Sequence, residues 1–154
     1  MQTHAEKKHL PHTQGQMFQL VSDIEKYSEF LPWCISTRIR SREGNELLAD
    51  MVIGYKVFRE GFTSRVILTE PERIDVTYSQ GPFKYLNNHW IFLPEADGTC
   101  TVDFYVEFEF RSNLMQKMIS LVFNDAVKKM VHSFEKRAYF VYSSKEQPQT
   151  LKLI

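Results

Sequence analysis

Five histidines, two cysteines and a scatter of serines and tyrosines are the side chains of this 154-residue chain that could do chemistry. Metal binding or catalysis would need them at particular separations. His4, His9, His12, His89 and His132 do not supply one. His9 and His12 flank a proline, and no two histidines lie four apart on a helix, as a zinc protease requires. Cys34 and Cys100 are too few for a disulfide framework or a zinc site of their own, and read as reduced, small apolar residues. No serine sits in a nucleophile elbow. The sequence therefore predicts no metal, no cofactor and no catalytic residue.

The residue types in surplus are apolar and aromatic. Aromatic residues make up 14% of the chain, twelve of them phenylalanine, which is more than a core of this size needs. The segment YSEFLPWC, Tyr27–Cys34, gathers several of them at the end of a short helix. The chemistry this composition favours is apolar burial in a cavity, worth about 25 cal/mol per Å². Lysine plus arginine equals aspartate plus glutamate at 19 each, so the leading reading has no nucleic-acid partner, which would want a basic surface. No apolar run approaches the roughly 20 residues of a membrane-crossing helix, and the N-terminal residues lack a signal-peptide core. A cytoplasmic location is expected.

The elements that must build such a cavity follow from periodicity. Residues 3–10 read as a first strand. A helix follows, with Thr13 as N-cap and Met17, Phe18, Leu20, Val21 and Ile24 at helical spacing. A second short helix runs through Tyr27, Phe30 and Leu31 to Pro32. From there to Arg111 the period is two. Leu47, Ala49, Met51, Ile53 and Tyr55 share one face, as do Phe62, Ser64, Val66 and Leu68, and then Ile74, Val76 and Tyr78. A strand is predicted around His89–Pro94, with Trp90 and Phe92 facing inward. The clearest strand alternates Cys100, Val102, Phe104, Val106, Phe108 and Phe110 against Asp103, Tyr105, Glu107 and Glu109. Gly54 and Gly61 are expected to mark bulges that bend the sheet. A long helix then runs from about Leu114 to Tyr142, with Ser112 or Asn113 as N-cap and a stripe through Ile119, Phe123, Val127, Met130 and Phe134. One domain is predicted over 1–143, with a loosely held tail at 144–154.

The order and the words of the sequence resemble the START-like, helix-grip superfamily, and within it the coenzyme Q-binding proteins. The resemblance rests on YSEFLPWC, GFTSRV at Gly61–Val66, GPFKYLNNHWIFLPE at Gly81–Glu95, CTVDFYVEFEFRSNL at Cys100–Leu114 and FEKRA at Phe134–Ala138. The bacterial ribosome association toxin belongs to the same superfamily. The resemblance implies an α+β helix-grip fold: a curved antiparallel sheet wrapped around a long C-terminal helix, with two short helices near the N-terminus. It also implies a non-enzymatic carrier of ubiquinone or a related polyisoprenoid lipid, serving respiration and quinone synthesis. The alternatives it leaves are a factor binding the large ribosomal subunit and an aromatase or cyclase. A cyclase would need inward acid–base groups, and Tyr55, Tyr78 and Ser64 are the few polar candidates.

The expected cavity lining is Phe30, Leu31 and Trp33 at the corner, Phe62, Val66, Val76, Tyr78, Trp90, Phe92, Phe104, Val106 and Phe108 on the strands, and Phe123 on the helix. On the opposite side of that helix Leu114, Met118 and Leu121 share a face, with Lys117 beside them. This second apolar face is expected to touch the inner membrane transiently, making the protein peripheral on its cytoplasmic side.

Overall fold

The computed structural model describes residues 2–55 and 58–143. The predicted tail at 144–154 and the side chain of Tyr55 lie outside them. Strand β1 (Gln2–Leu10) leads to helix α1 (Gln14–Ser22) and a 3-10 helix (Ile24–Glu29). Strands β2 (Cys34–Glu43), β3 (Glu46–Tyr55), β4 (Phe58–Thr69), β5 (Arg73–Gln80), β6 (Phe83–Pro94) and β7 (Cys100–Phe110) follow, then helix α2 (Asn113–Ala138). The strands form one antiparallel sheet in the order β1-β7-β6-β5-β4-β3-β2. Each hairpin joins neighbours from β2 to β7, and β1 closes on β7.

Thr13 starts α1 with a capping box: its hydroxyl accepts from the Gln16 backbone N–H, and the Gln16 side chain accepts from the Thr13 N–H. Ser112 caps α2 by accepting from the N–H of Met115. The alternation in β7 holds: Cys100, Val102, Phe104, Phe108 and Phe110 are buried, with the outward residues half-exposed.

Two expectations are corrected, and the last helix ends in a different form. Strand β6 begins at Phe83, not His89. The segment KYLNN carries asparagines that disfavour strands, but β7 pairs with it along its length, Leu86 opposite Phe108 and Asn88 opposite Val106, and that pairing overrides local preference. The bulges do not fall at Gly54 and Gly61, which keep regular register opposite Arg59 and Val52. Register shifts occur instead at Ile35, Arg40, Ser79 and Lys84. The α-helical part of α2 stops at Ala138, and a π-helical turn continues over Tyr139–Ser143.

Helix α2 comes nearest the sheet at β1 and β7 and stands away from β3 to β5. Lys8 on β1 pairs with Glu135 on α2 at 2.6 Å, and Gln2 donates to the Ser120 hydroxyl at 2.6 Å. The buried side chains fall into two clusters. One joins α1, the 3-10 helix, Trp90, Phe92, Phe104 and Phe134. The other centres on Phe83, Phe108, Phe110, Phe123 and Val127.

His12 is 6% exposed, edge-on to Tyr139 at 5.2 Å and 5.8 Å from Tyr142, which packs against the first cluster. Burial lowers its pKa from the ordinary 6.5, because the imidazolium loses hydration there. The unfolded chain then binds the proton more readily, so stability falls as pH drops below about 6.5. The urea midpoint is expected to fall between pH 7.5 and 5.5, and His12→Phe to flatten that fall. An unchanged slope in the variant would assign the effect elsewhere.

Candidate functional site

Between the two clusters, where α2 stands off the curved sheet, lies a cavity of about 290 Å³. Every strand from β2 to β7 contributes to its wall, along with α1, the 3-10 helix and α2. The sheet supplies inward residues at period two: Ala49, Met51 and Ile53 on β3, Phe62, Ser64 and Val66 on β4, Ile74 and Val76 on β5, Leu86, Asn88 and Trp90 on β6, and Phe104, Val106 and Phe108 on β7. Helix α2 supplies Ile119, Val122, Phe123, Ala126, Val127, Met130 and Phe134 at helical spacing.

Ten of the thirteen residues expected in the lining are there: Leu31, Trp33, Phe62, Val66, Val76, Trp90, Phe104, Val106, Phe108 and Phe123. Three are not. Phe30 is the residue at which the chain leaves the 3-10 helix (φ −140°, ψ −17°). Its ring instead meets Phe134 edge-on at 5.2 Å, with the Arg137 guanidinium 5.2 Å from the ring centre. Tyr78 sits behind Phe83, with ring centres 5.5 Å apart, and its hydroxyl accepts from the Phe83 N–H at 3.3 Å. Phe92 is covered by α1, where Phe18 meets it edge-on at 5.9 Å. The segment Tyr27–Cys34 is thus divided: Tyr27, Leu31, Trp33 and Cys34 face the cavity, and Phe30 braces the end of α2.

Trp33 closes one edge. Its indole N–H donates to the carbonyl of Ala126 in α2 at 3.1 Å, while its own carbonyl accepts from Gly54 N–H at 2.9 Å. One residue thus ties the corner to the helix and to β3.

The sequence reading missed Leu86 and Asn88 because it began β6 too late. It missed Val21, Ile24 and Tyr27 because it gave α1 and the 3-10 helix only a packing role. The period-two rule extended back to Phe83 would have found the first pair.

Among the described residues, no histidine, lysine, arginine, aspartate or glutamate lines the cavity. Its polar side chains are Tyr27, Trp33, Cys34, Ser64, Asn88 and Trp90. Burial pushes the thiols of Cys34 and Cys100 up to about 11, so both stay protonated at neutral pH and neither is an activated nucleophile. Burial also raises the Tyr27 phenol, whose hydroxyl donates to the carbonyl of Val21. The described residues hold no cluster of three metal-ligating side chains. What the arrangement can do is enclose an apolar molecule.

Two outer surfaces differ from it. The described part of α2 leaves Leu114 (69% exposed), Met118 (38%) and Leu121 (87%) in solvent, with Lys117 also exposed. On the convex face of the sheet, Arg38 and Arg40 of β2 both reach Asp50, at 2.8 and 3.1 Å. The Thr63 hydroxyl and Arg38 hold that carboxyl below its usual range. No described helix is long and apolar enough to cross a membrane.

Residues 10–135 match the family model described as polyketide cyclase / dehydrase and lipid transport. The chain is 39% identical to the ribosome association toxin RatA of Rickettsia prowazekii, over 85% of this chain and 92% of that one. It is 32% identical to the mitochondrial coenzyme Q-binding protein COQ10 homolog B of Xenopus laevis, over 94% of this chain and 61% of that one. A START superfamily protein from Mycobacterium smegmatis has the same fold, with TM-score 0.77 at 14% identity, covering 90% of this chain and 98% of that one.

Proposed function

Because the chain belongs to the polyketide cyclase/dehydrase and lipid transport family, with a START-like helix-grip fold, we propose that it is a non-catalytic carrier of ubiquinone or a closely related isoprenoid. The observation that carries this reading is the cavity itself: set between sheet and helix, walled by aromatic and aliphatic side chains, and without an acid–base pair in its described lining. At about 290 Å³ it sits at the low end of small-molecule sites, which run from about 300 to 1,000 Å³. It suits a head group and the first part of a tail better than a full long-chain isoprenoid. The remainder of a long tail would stay outside, in a membrane or along the apolar face of α2. The quinone named in the COQ10 relative fits this description.

The exposed Leu114, Met118 and Leu121, with Lys117 beside them, suit the interface of an anionic bilayer, where apolar side chains bury and lysine meets lipid charge. The experiment is uptake from liposomes. Protein is mixed with vesicles containing ubiquinone and refloated, and quinone is measured in the protein fraction. Both tryptophans, Trp33 and Trp90, line the cavity, so their fluorescence reports filling directly. Met118→Glu with Leu121→Glu is expected to cut vesicle association at least severalfold while leaving thermal stability unchanged, since neither side chain is in the core. Equal association by variant and wild type would remove the membrane contact from the account. No quinone uptake at all would remove the carrier.

A ribosome contact is the second reading. It is favoured by the relative's name and by the outward Arg38, Arg40 and Arg42 on β2, which would suit an anionic partner. Co-sedimentation with the large ribosomal subunit tests it independently of lipid uptake.

A further inference from the structure

The described cavity wall carries few polar side chains and no charged one, and two of the polar ones say which chemical class of molecule it accepts. Ser64 is only 6% exposed and sits in the lining between Phe62 and Val66. Its hydroxyl makes no hydrogen bond to any described residue, unlike the buried Thr63 beside it, which donates to Asp50 at 2.6 Å on the other side of the sheet. Because the side chain faces the cavity, that hydroxyl is open to a molecule that fills it. The register shift at Ser79, where Thr63 pairs with Gln80 but Ser64 with Tyr78, lies directly beside it. Bulges of this kind re-aim side chains.

A second polar group faces the cavity across β5. Asn88 stands opposite Val76, and its amide orientation is fixed from both ends. The Trp90 indole can only donate, and it donates to Asn88 Oδ1 at 3.0 Å. Asn88 Nδ2 donates one hydrogen to the carbonyl of Tyr105 at 2.8 Å, which leaves the other N–H for a ligand. The two polar groups stand two strand spacings apart and two residues out of line along the strands, roughly 12 Å between backbones. Both can donate, and neither is charged. No described cation lines the cavity to meet a carboxylate or phosphate, and an unpaired anion there would lose its hydration without compensation.

Building on the carrier reading, we infer that the cavity selects uncharged amphiphiles whose head carries hydrogen-bond acceptor oxygens, such as carbonyls or ethers. Ser64 donates to one such oxygen, and Asn88 Nδ2 is the second donor. Free fatty acids and isoprenoid phosphates are rejected by the same wall. The selection acts on the head group, while the tail is held by area alone.

The test is a tryptophan-fluorescence titration of wild type and Ser64→Ala with three probes: a short-chain ubiquinone, an isoprenoid hydrocarbon of the same tail length, and farnesyl diphosphate. Wild type is expected to bind the quinone and the hydrocarbon but not the diphosphate. Ser64→Ala should weaken the quinone roughly three- to tenfold, the size of one lost neutral hydrogen bond, and leave the hydrocarbon unchanged. Unchanged quinone affinity, an equal loss for both neutral probes, or diphosphate binding as tight as quinone would each overturn the head-group selection while leaving a lipid carrier standing. Wild type that binds neither neutral probe would overturn the carrier reading and this inference with it.

Discussion

Val76→Trp is expected to empty the protein of ligand while leaving it folded. Val76 faces the cavity from the middle of β5, paired with Val66 on one side and Asn88 on the other. Indole in place of isopropyl would fill much of a space of about 290 Å³. Overpacking a tight core costs about 1–3 kcal/mol, but here the added ring goes into unfilled volume, so the lower end applies. Ligand affinity should fall at least tenfold, because the occupant loses the apolar contact area that holds it. The measurement is lipid retained per protein after purification, alongside the melting temperature. Retention at the wild-type level with an unchanged melting temperature would mean that the ligand sits elsewhere.

Phe83→Ala, at a ring that also touches the cavity, is expected to damage the fold first. The Phe83 ring stacks on Phe110 at 4.6 Å and meets Phe62, Tyr78 and Phe108 edge-on at 5.2, 5.5 and 5.7 Å. It is 3% exposed and stands at the centre of the second cluster. Removing a ring from such a site costs about 3–5 kcal/mol, a large share of a total that is seldom above about 15. For a domain of this size that lowers the melting temperature by roughly 10 °C. Phe83→Leu, which keeps most of the volume, should lose much less. Leu121→Ala, at an exposed position, should lose almost nothing. Similar melting temperatures for all three would contradict the aromatic cluster as a main source of stability.

The fold was legible because its elements carry unmixed periods. Strand β7 alternates without a break, and the α2 stripe repeats at helical spacing over its whole length. Thr13 and Ser112 could be read as caps because a side-chain oxygen ahead of an apolar-periodic run has few other uses. The start of β6 was hidden because Lys84, Asn87 and Asn88 look like loop residues until β7 is laid beside them. Curvature was predicted correctly but assigned to the wrong residues. Gly54 and Gly61 stand in regular pairs, and the extra residues are Ile35, Arg40, Ser79 and Lys84, of types that give no local sign of a bulge.

The site was legible as a composition and only partly as a set of residues. An inward position on a strand can face a cavity or a neighbouring helix, and period alone does not separate the two. Phe92 and Trp90 share a face, yet α1 covers the first and leaves the second to the cavity. Phe30 was misplaced by one backbone turn at the end of the 3-10 helix. Ser64 was visible as an inward hydroxyl. That it faces the cavity with no partner among the described residues goes with the register shift of β5 beside it, which no local pattern encodes.

Organic extraction of the protein, purified without detergent from a quinone-producing host and followed by mass spectrometry, shows what the cavity carries. A near-stoichiometric uncharged isoprenoid amphiphile, ubiquinone or a precursor, is expected in extracts of wild type and should be nearly absent from extracts of Val76→Trp. Wild-type extracts free of lipid, from protein that also fails to take up ubiquinone from liposomes, would contradict the carrier reading.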